Sequence, residues 1–264
     1  FHALAGRALP AVIIGISAQI GQVGTQRVAL PTQLLRVRAD DGREATLQAD
    51  LIRAVAAELE ADEVAVFDAG FGLRELQAAG VKRYVVRLAR NITARRADLP
   101  EREPGTKGRP CEYGDVIRPL ARRYRDKHIA ASEPDEQVHW MVDDVTLHAD
   151  LWHNLVRSDC KVADEAPRFS IAVIHDPRFA QPWVLAFNRP LSAAQVTAIY
   201  RDRWPVEQIP LAGKQMLGAQ RQFVFAPQSC QRLPQLALLA GSVLTYVAAT
   251  LPAIPTGFWD RDAQ

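Results

Sequence analysis

Apolar runs and polar punctuation alternate over the first ninety residues in an order that predicts strand, strand, helix, strand, helix, strand. Ala11 to Gln19 (AVIIGISAQ) is apolar and β-branched and stops before Gly21. Arg27 to Ala39 (RVALPTQLLRVRA) is a second strand-like run, closed as a turn by Asp40-Asp41-Gly42. From Ala45 to Ala61 the apolar residues fall at 47, 51, 52, 55, 56 and 59, a helical period. Glu63 to Phe67 (EVAVF) predicts a short buried strand, Leu73 to Ala79 a short helix stopped by Gly80, and Tyr84 to Leu88 (YVVRL) another strand. That alternation predicts an α/β layer.

Past Asn91 the helical period disappears. Pro100, Pro104, Gly105, Gly108, Pro110 and Gly114 break up a charged stretch. Ser170 to His175 (SIAVIH) and Trp183 to Asn188 (WVLAFN) then predict two strands of a hairpin, joined through Asp176-Pro177-Arg178. Residues 93–190 therefore read as a mostly β insertion between a first part, 1–92, and a helical part, 191–264. In the last part Ser192 is placed to cap a helix over Ala193 to Trp204. Leu233 to Leu251 predicts the last long helix. Its most apolar stretch, Leu236 to Leu251, is 16 residues. That is short of the roughly 20 needed to span a bilayer, so it reads as a buried helix.

Composition adds little: 264 residues, 48% hydrophobic and 23% charged, describe an ordinary globular chain, and a net charge of +2 neither favours nor excludes a polyanionic partner. The local balance says more. Residues 81–128 carry fourteen Lys/Arg against six Asp/Glu, and residues 129–170 carry three against nine. A basic block beside an acidic one suits a surface that faces a polyanion, although two solvated faces of opposite sign would give the same count. Cys111, Cys160 and Cys230 are widely spaced and form no CxxC pair, which gives no zinc or disulfide signature and fits a reducing compartment.

Candidate chemistry gathers at two places. Tyr200, Arg203, Glu207 and Lys214 stand at steps of three, four and seven. On a continuous helix these steps put Arg203, Glu207 and Lys214 along one flank, with Tyr200 a turn ahead. A carboxylate between cations, with an aromatic alongside, can hold a metal ion and a phosphate together. The plain alternative is a surface Arg203–Glu207 ion pair. Pro210 is expected to kink or break the helix, which would move Lys214 off that flank. Asp68 ends a buried strand and is followed by Gly70 and Gly72. Ligands gather at the C-terminal ends of strands in open α/β sheets, and glycines let a metal or a backbone come close. The alternative is that Asp68 caps the next helix or forms an Asx turn.

Taken together, these residues resemble the IS4-type DDE transposases of bacterial insertion sequences. The signature of those enzymes is Tyr-x2-Arg-x3-Glu-x6-Lys, which Tyr200, Arg203, Glu207 and Lys214 match at all four positions. Asp68-Ala69-Gly70-Phe71 looks like their second-aspartate motif, and 93–190 is similar to the β insertion before their glutamate helix. The resemblance implies an α/β, ribonuclease-H-like fold, a mixed sheet flanked by helices. It implies DNA transposition, with metal-assisted cleavage of element-end DNA and transfer of its 3′ ends to target DNA. Asp68 and Glu207 would be catalytic, metal-holding carboxylates for Mg²⁺ or Mn²⁺, with two ions in a complete enzyme. Arg203, Lys214 and Tyr200 would touch the DNA backbone. Trp183 is similar to the tryptophan that stacks on a flipped base in hairpin-forming members, and a hairpin-packing role is its alternative. The implied partners are double-stranded DNA, both terminal inverted repeats and target, and a second copy of the chain. The implied setting is the bacterial cytoplasm, with no membrane.

The family's triad needs another aspartate on the first strand of the fold, yet residues 1–39 hold no Asp or Glu. Asp40 and Asp41 follow the second visible strand, which is the wrong place. The expectation is a truncated chain whose first strand lies upstream and which cleaves no DNA alone. Two other readings stand beside it: a non-catalytic remnant that binds DNA or transposase subunits, and a ribonuclease-H-like nuclease. The glycines from Gly15 to Gly24 make no G-x-G-x-x-G and predict no dinucleotide site. His139, Asp143, Asp144, His148, Asp150 and His153 form a possible metal cluster. His148 and His153 are five apart rather than the four of a helical ligand pair, and the segment reads as solvated and acidic.

Overall fold

The computed structural model describes residues 13–37, 44–102, 105, 107–219 and 226–252. The expected turn at Asp40-Asp41-Gly42 lies outside the described residues. In chain order the strands and helices are β1 (Ile13–Val23), β2 (Gln26–Val37), α1 (Glu44–Glu58), β3 (Ala65–Phe67), α2 (Leu73–Ala78), β4 (Tyr84–Arg87), β5 (Ala94–Arg96), β6 (Val116–Ile117), β7 (Arg122–Tyr124), β8 (Lys127–Ile129), β9 (Glu136–Val142), β10 (Val145–Arg157), β11 (Phe169–His175), β12 (Trp183–Phe187), α3 (Ala193–Arg201), α4 (Pro205–Gln215) and α5 (Pro227–Thr250). The strand–strand–helix–strand–helix–strand order of the first ninety residues is present. The chain divides into two compact units, residues 1–54 with 202–264, and residues 55–201.

In the first unit, β1 and β2 form an antiparallel hairpin that pairs with no other strand among the described residues. Its tight turn places Gly24 at φ 58°, a left-handed conformation that glycine adopts without a Cβ penalty. Pro31 has no N–H to give the ladder, and the register shifts opposite it, between Ser17 and Ala18. Ile14, Ile16, Ala18 and Ile20 pack with Ala29, Ile209 and Leu238 as the core of this unit. Helices α4 and α5 cross at glycines: a Cβ on Gly241 would lie 2.9 Å from the Gly213 nitrogen, inside van der Waals contact. The last helix is longer and less buried than its pattern predicts. It runs 24 residues, and Leu236, Leu239, Val243, Leu244 and Tyr246 are exposed. Apolar residues occupy more of its circumference than its packed face covers. By length and composition alone it is long and apolar enough to cross a membrane.

The second unit is built on an eight-stranded mixed sheet in the order β3-β4-β12-β11-β10-β5-β6, with β9 also on β10. Only β3 and β4 are parallel; the other pairs are antiparallel. Strand β12 bonds directly to β4, so the strands of 93–190, apart from β7 and β8, which pair with each other, continue the sheet that β3 and β4 begin. Among the described residues, β3 ends that sheet and is paired on one side. Strand β10 is 13 residues long and meets β9 along its first half and β5 along its last residues. Helix α3 covers β4 and β11, burying Ala193, Val196 and Tyr200 against Val85, Ala172, Leu185 and Phe187. Arg96 on β5 holds Asp135 through two hydrogen bonds, one of 2.7 Å, and the backbone N–H of His153 donates to the same carboxylate at 2.7 Å. These bonds fix the segment before β9 to the middle of the sheet and hold the Asp135 carboxyl below its ordinary range.

Candidate functional site

Asp68 follows β3 directly. Its backbone carbonyl accepts from the Phe71 N–H at 3.0 Å, and its Oδ1 accepts from the Ala69 N–H at 2.7 Å. It does not cap α2, whose N-cap is Gly72 with no side-chain cap bond. The same Oδ1 accepts the Tyr200 hydroxyl at 3.2 Å, across 132 residues of sequence. Tyr200 gets there through α3. Ser192 and Gln195 cap that helix reciprocally: the Gln195 N–H donates to Ser192 Oγ at 3.2 Å and the Ser192 N–H to Gln195 Oε1 at 2.9 Å. Val196 and Tyr200, four apart, then share the buried face. Tyr200 is 5% exposed. Its hydroxyl meets a carboxylate here. Trp183 lies edge-on to Tyr200, ring centroids 5.4 Å apart, with Phe179 on it at 5.1 Å. It is half-buried and packed among aromatics.

The four signature residues are not on one helix, which corrects the continuous flank expected for them. The helix expected over Ala193 to Trp204 ends at Arg201, residues 202–204 form a turn, and α4 begins at Pro205. Pro205 has no N–H to continue the ladder and sits at the first position of α4, where none is needed. The Val206 N–H instead reaches the Arg203 carbonyl and the Glu207 N–H the Trp204 carbonyl, both at 3.0 Å. Arg203 Nη2 pairs with Glu207 Oε1 at 2.8 Å, and Lys214 is exposed in the last turn of α4. The helix continues through Pro210. Asp68, Trp183 and Tyr200 belong to the second unit; Arg203, Glu207 and Lys214 belong to the first.

No protein-family model matches this sequence, and no curated protein matches it.

Two further features lie in the second unit. The hairpin β7–β8 exposes Arg123, Arg125 and Lys127 together with Tyr124, whose ring lies under the Arg125 guanidinium at 5.4 Å. This hairpin is one exposed part of the basic 81–128 block. The other is a row of imidazoles. Helical spacing argues against His139 to His153 as a ligand set, but the segment is strand. On a strand, neighbours two apart share a face, and cross-strand partners count as much as sequence neighbours. His148 stacks on His175 at 4.3 Å and on His139 at 5.3 Å. Burial pushes the His175 imidazole below its ordinary range, helped by His148 and opposed by Asp150. Strand alternation pairs His148 with Asp150 from sequence; His175 carries no local signal.

Proposed function

We propose that this chain is the catalytic part of an IS4-type transposase with a ribonuclease-H-like fold, acting on double-stranded DNA. The observation that carries the reading is the 3.2 Å bond from the Tyr200 hydroxyl to Asp68. It joins the first position of the four-residue signature to the strand-end aspartate, two motifs found independently in the sequence. Support comes from the mixed α/β sheet, from the Arg203–Glu207 pair, and from the exposed basic hairpin β7–β8.

The oxygen donors of Asp68 and Glu207 suit a hard divalent cation such as Mg²⁺ or Mn²⁺. They are the residues that would hold the ions the reading implies. When bound, such ions activate an attacking oxygen and stabilise a leaving one in phosphodiester chemistry. The chain's own residues have separate tasks. Tyr200 fixes the Asp68 carboxylate by donating to its Oδ1. Arg203 pairs with Glu207 and would add a guanidinium contact to a phosphate oxygen. Lys214 and the β7–β8 cations add sequence-independent backbone contacts. Trp183 offers an aromatic face beside Tyr200 on which a base could stack.

Fluorescence anisotropy of a labelled duplex with the purified chain tests this. Binding is expected to weaken with salt and to tighten on adding Mg²⁺. Asp68→Asn and Glu207→Gln are each expected to remove the Mg²⁺ effect and leave Mg²⁺-free binding intact. Absence of duplex binding, or a Mg²⁺ effect indifferent to both substitutions, overturns the reading. Residues 1–39 supply no third carboxylate, so no plasmid nicking is expected from this chain alone. Nicking that disappears in Asp68→Ala would favour a nuclease instead.

A further inference from the structure

Strands β9, β10 and β11 bring together metal-ligating side chains that the transposase reading does not use. The register sets His148 opposite His139 on one side and opposite His175 on the other. Asp150, two residues along β10, shares the face of His148. His148 Nε2 lies 3.7 Å from Asp150 Oδ1, and His175 Nε2 lies 3.5 Å from Asp150 Oδ2. Both separations are too long for hydrogen bonds. They match another relationship: two donors each about 2.0–2.1 Å from a tetrahedral ion stand roughly 3.3–3.4 Å from one another. One ligand atom from each of the three residues falls within a single 4.8 Å cluster.

Three more observations point the same way. His175 Nε2 is buried and has no hydrogen-bond partner, an arrangement that proteins avoid unless something fills the gap. Gln137, the register partner of Asp150, donates to Asp150 Oδ1 at 2.6 Å, the kind of outer bond that orients a ligating carboxylate. A pocket of about 420 Å³ opens over His139, His148 and His175, with room for an ion and its water.

We propose that His148, Asp150 and His175 bind one divalent transition-metal ion of the zinc class. Two imidazole nitrogens and one carboxylate oxygen hold it, and a fourth position faces the pocket. Imidazole donors disfavour Mg²⁺ and Ca²⁺, which seek oxygen, so this site is chemically separate from the Asp68 and Glu207 carboxylates. Its existence does not depend on the transposase reading.

Calorimetric titration of the chelator-treated whole chain with Zn²⁺ tests it, with Co²⁺ as an optical probe. The expected result is one Zn²⁺ per chain and a tetrahedral Co²⁺ spectrum. His148→Ala and His175→Ala are each expected to weaken binding by more than about tenfold, and Gln137→Ala by about tenfold. Asp68→Asn is expected to leave Zn²⁺ affinity unchanged. Circular dichroism confirms that each variant is folded, and the Co²⁺ spectrum of the unaltered chain needs no variant at all. Absence of stoichiometric Zn²⁺ binding, absence of a tetrahedral Co²⁺ spectrum, or undiminished affinity in folded His175→Ala overturns the proposal. Any of these leaves a ladder of stacked imidazoles that pairs with Asp150 only when protonated.

Discussion

The Tyr200 hydroxyl donates a 3.2 Å hydrogen bond to Asp68 Oδ1 from a position that is otherwise part of the hydrophobic core. Tyr200→Phe keeps the packing and removes the bond, so a stability loss of about 0.5–1.5 kcal/mol is expected by urea denaturation. The same variant should weaken the Mg²⁺ enhancement of DNA binding severalfold, because the carboxylate loses its orientation. Tyr200→Ala removes the ring as well and should lose roughly 3–5 kcal/mol. Equal stabilities for Phe and Ala would contradict the packing role.

Arg203, in the turn before α4, pairs with Glu207 at partial exposure, where such a pair contributes only about 0.2–1 kcal/mol. Arg203→Ala should therefore leave the melting temperature nearly unchanged and still reduce duplex affinity. A large loss of stability with unchanged affinity would make the pair structural.

The three exposed cations of β7–β8, Arg123, Arg125 and Lys127, should act through phosphates. Replacing all three with Ala should lower the slope of log affinity against log salt by about 0.9 for each phosphate no longer neutralised. An unchanged slope would place the DNA elsewhere.

Asp135 gives an acid-side prediction. Arg96 hydrogen bonds hold its carboxyl below the usual range, against a smaller opposing effect of burial. Its stabilising effect is present above the unfolded value, near 3.9, and is lost as pH falls through the lower folded value. Asp135→Asn should cost about 1–2 kcal/mol at pH 7, a discounted figure because the pair is partly exposed. That deficit should shrink toward zero in strong acid, which denaturation curves at several pH values would show.

Tyr84 gives the alkaline counterpart. Burial pushes its phenol up to about 12, with Gln77 and Arg157 opposing. The folded chain keeps the proton while the unfolded chain loses it near 10, so stability falls as pH rises from about 10 to 12, by roughly 2–3 kcal/mol. Tyr84→Phe should remove that slope. Ultraviolet titration should show one of the five tyrosines ionising late or only on unfolding.

Periodicity located the elements of the first ninety residues because each carries its own pattern: Ile13–Val23 is β-branched, and Glu44–Glu58 repeats at helical intervals. It could not say that, among the described residues, β1 and β2 pair only with each other, because pairing is decided by partners far along the chain. The signature residues were legible as a spacing. The break at 202–204 was not. Asp68 was found from its place after a strand; its bond to Tyr200 depends on the distant placement of α3. The imidazole row escaped because it joins His175 to His148 across two strands.

The Ser192–Gln195 capping box has a consequence beyond the end of its helix. Each added residue turns an α-helix by about 100°. With its start fixed at Ser192, α3 has a defined rotational phase, and eight residues later that phase aims the Tyr200 hydroxyl at Asp68. A single residue inserted between Ser192 and Tyr200 would leave every motif letter in place and swing the hydroxyl to another side of the helix. The cap is a clock setting, and the Asp68 contact keeps time by it.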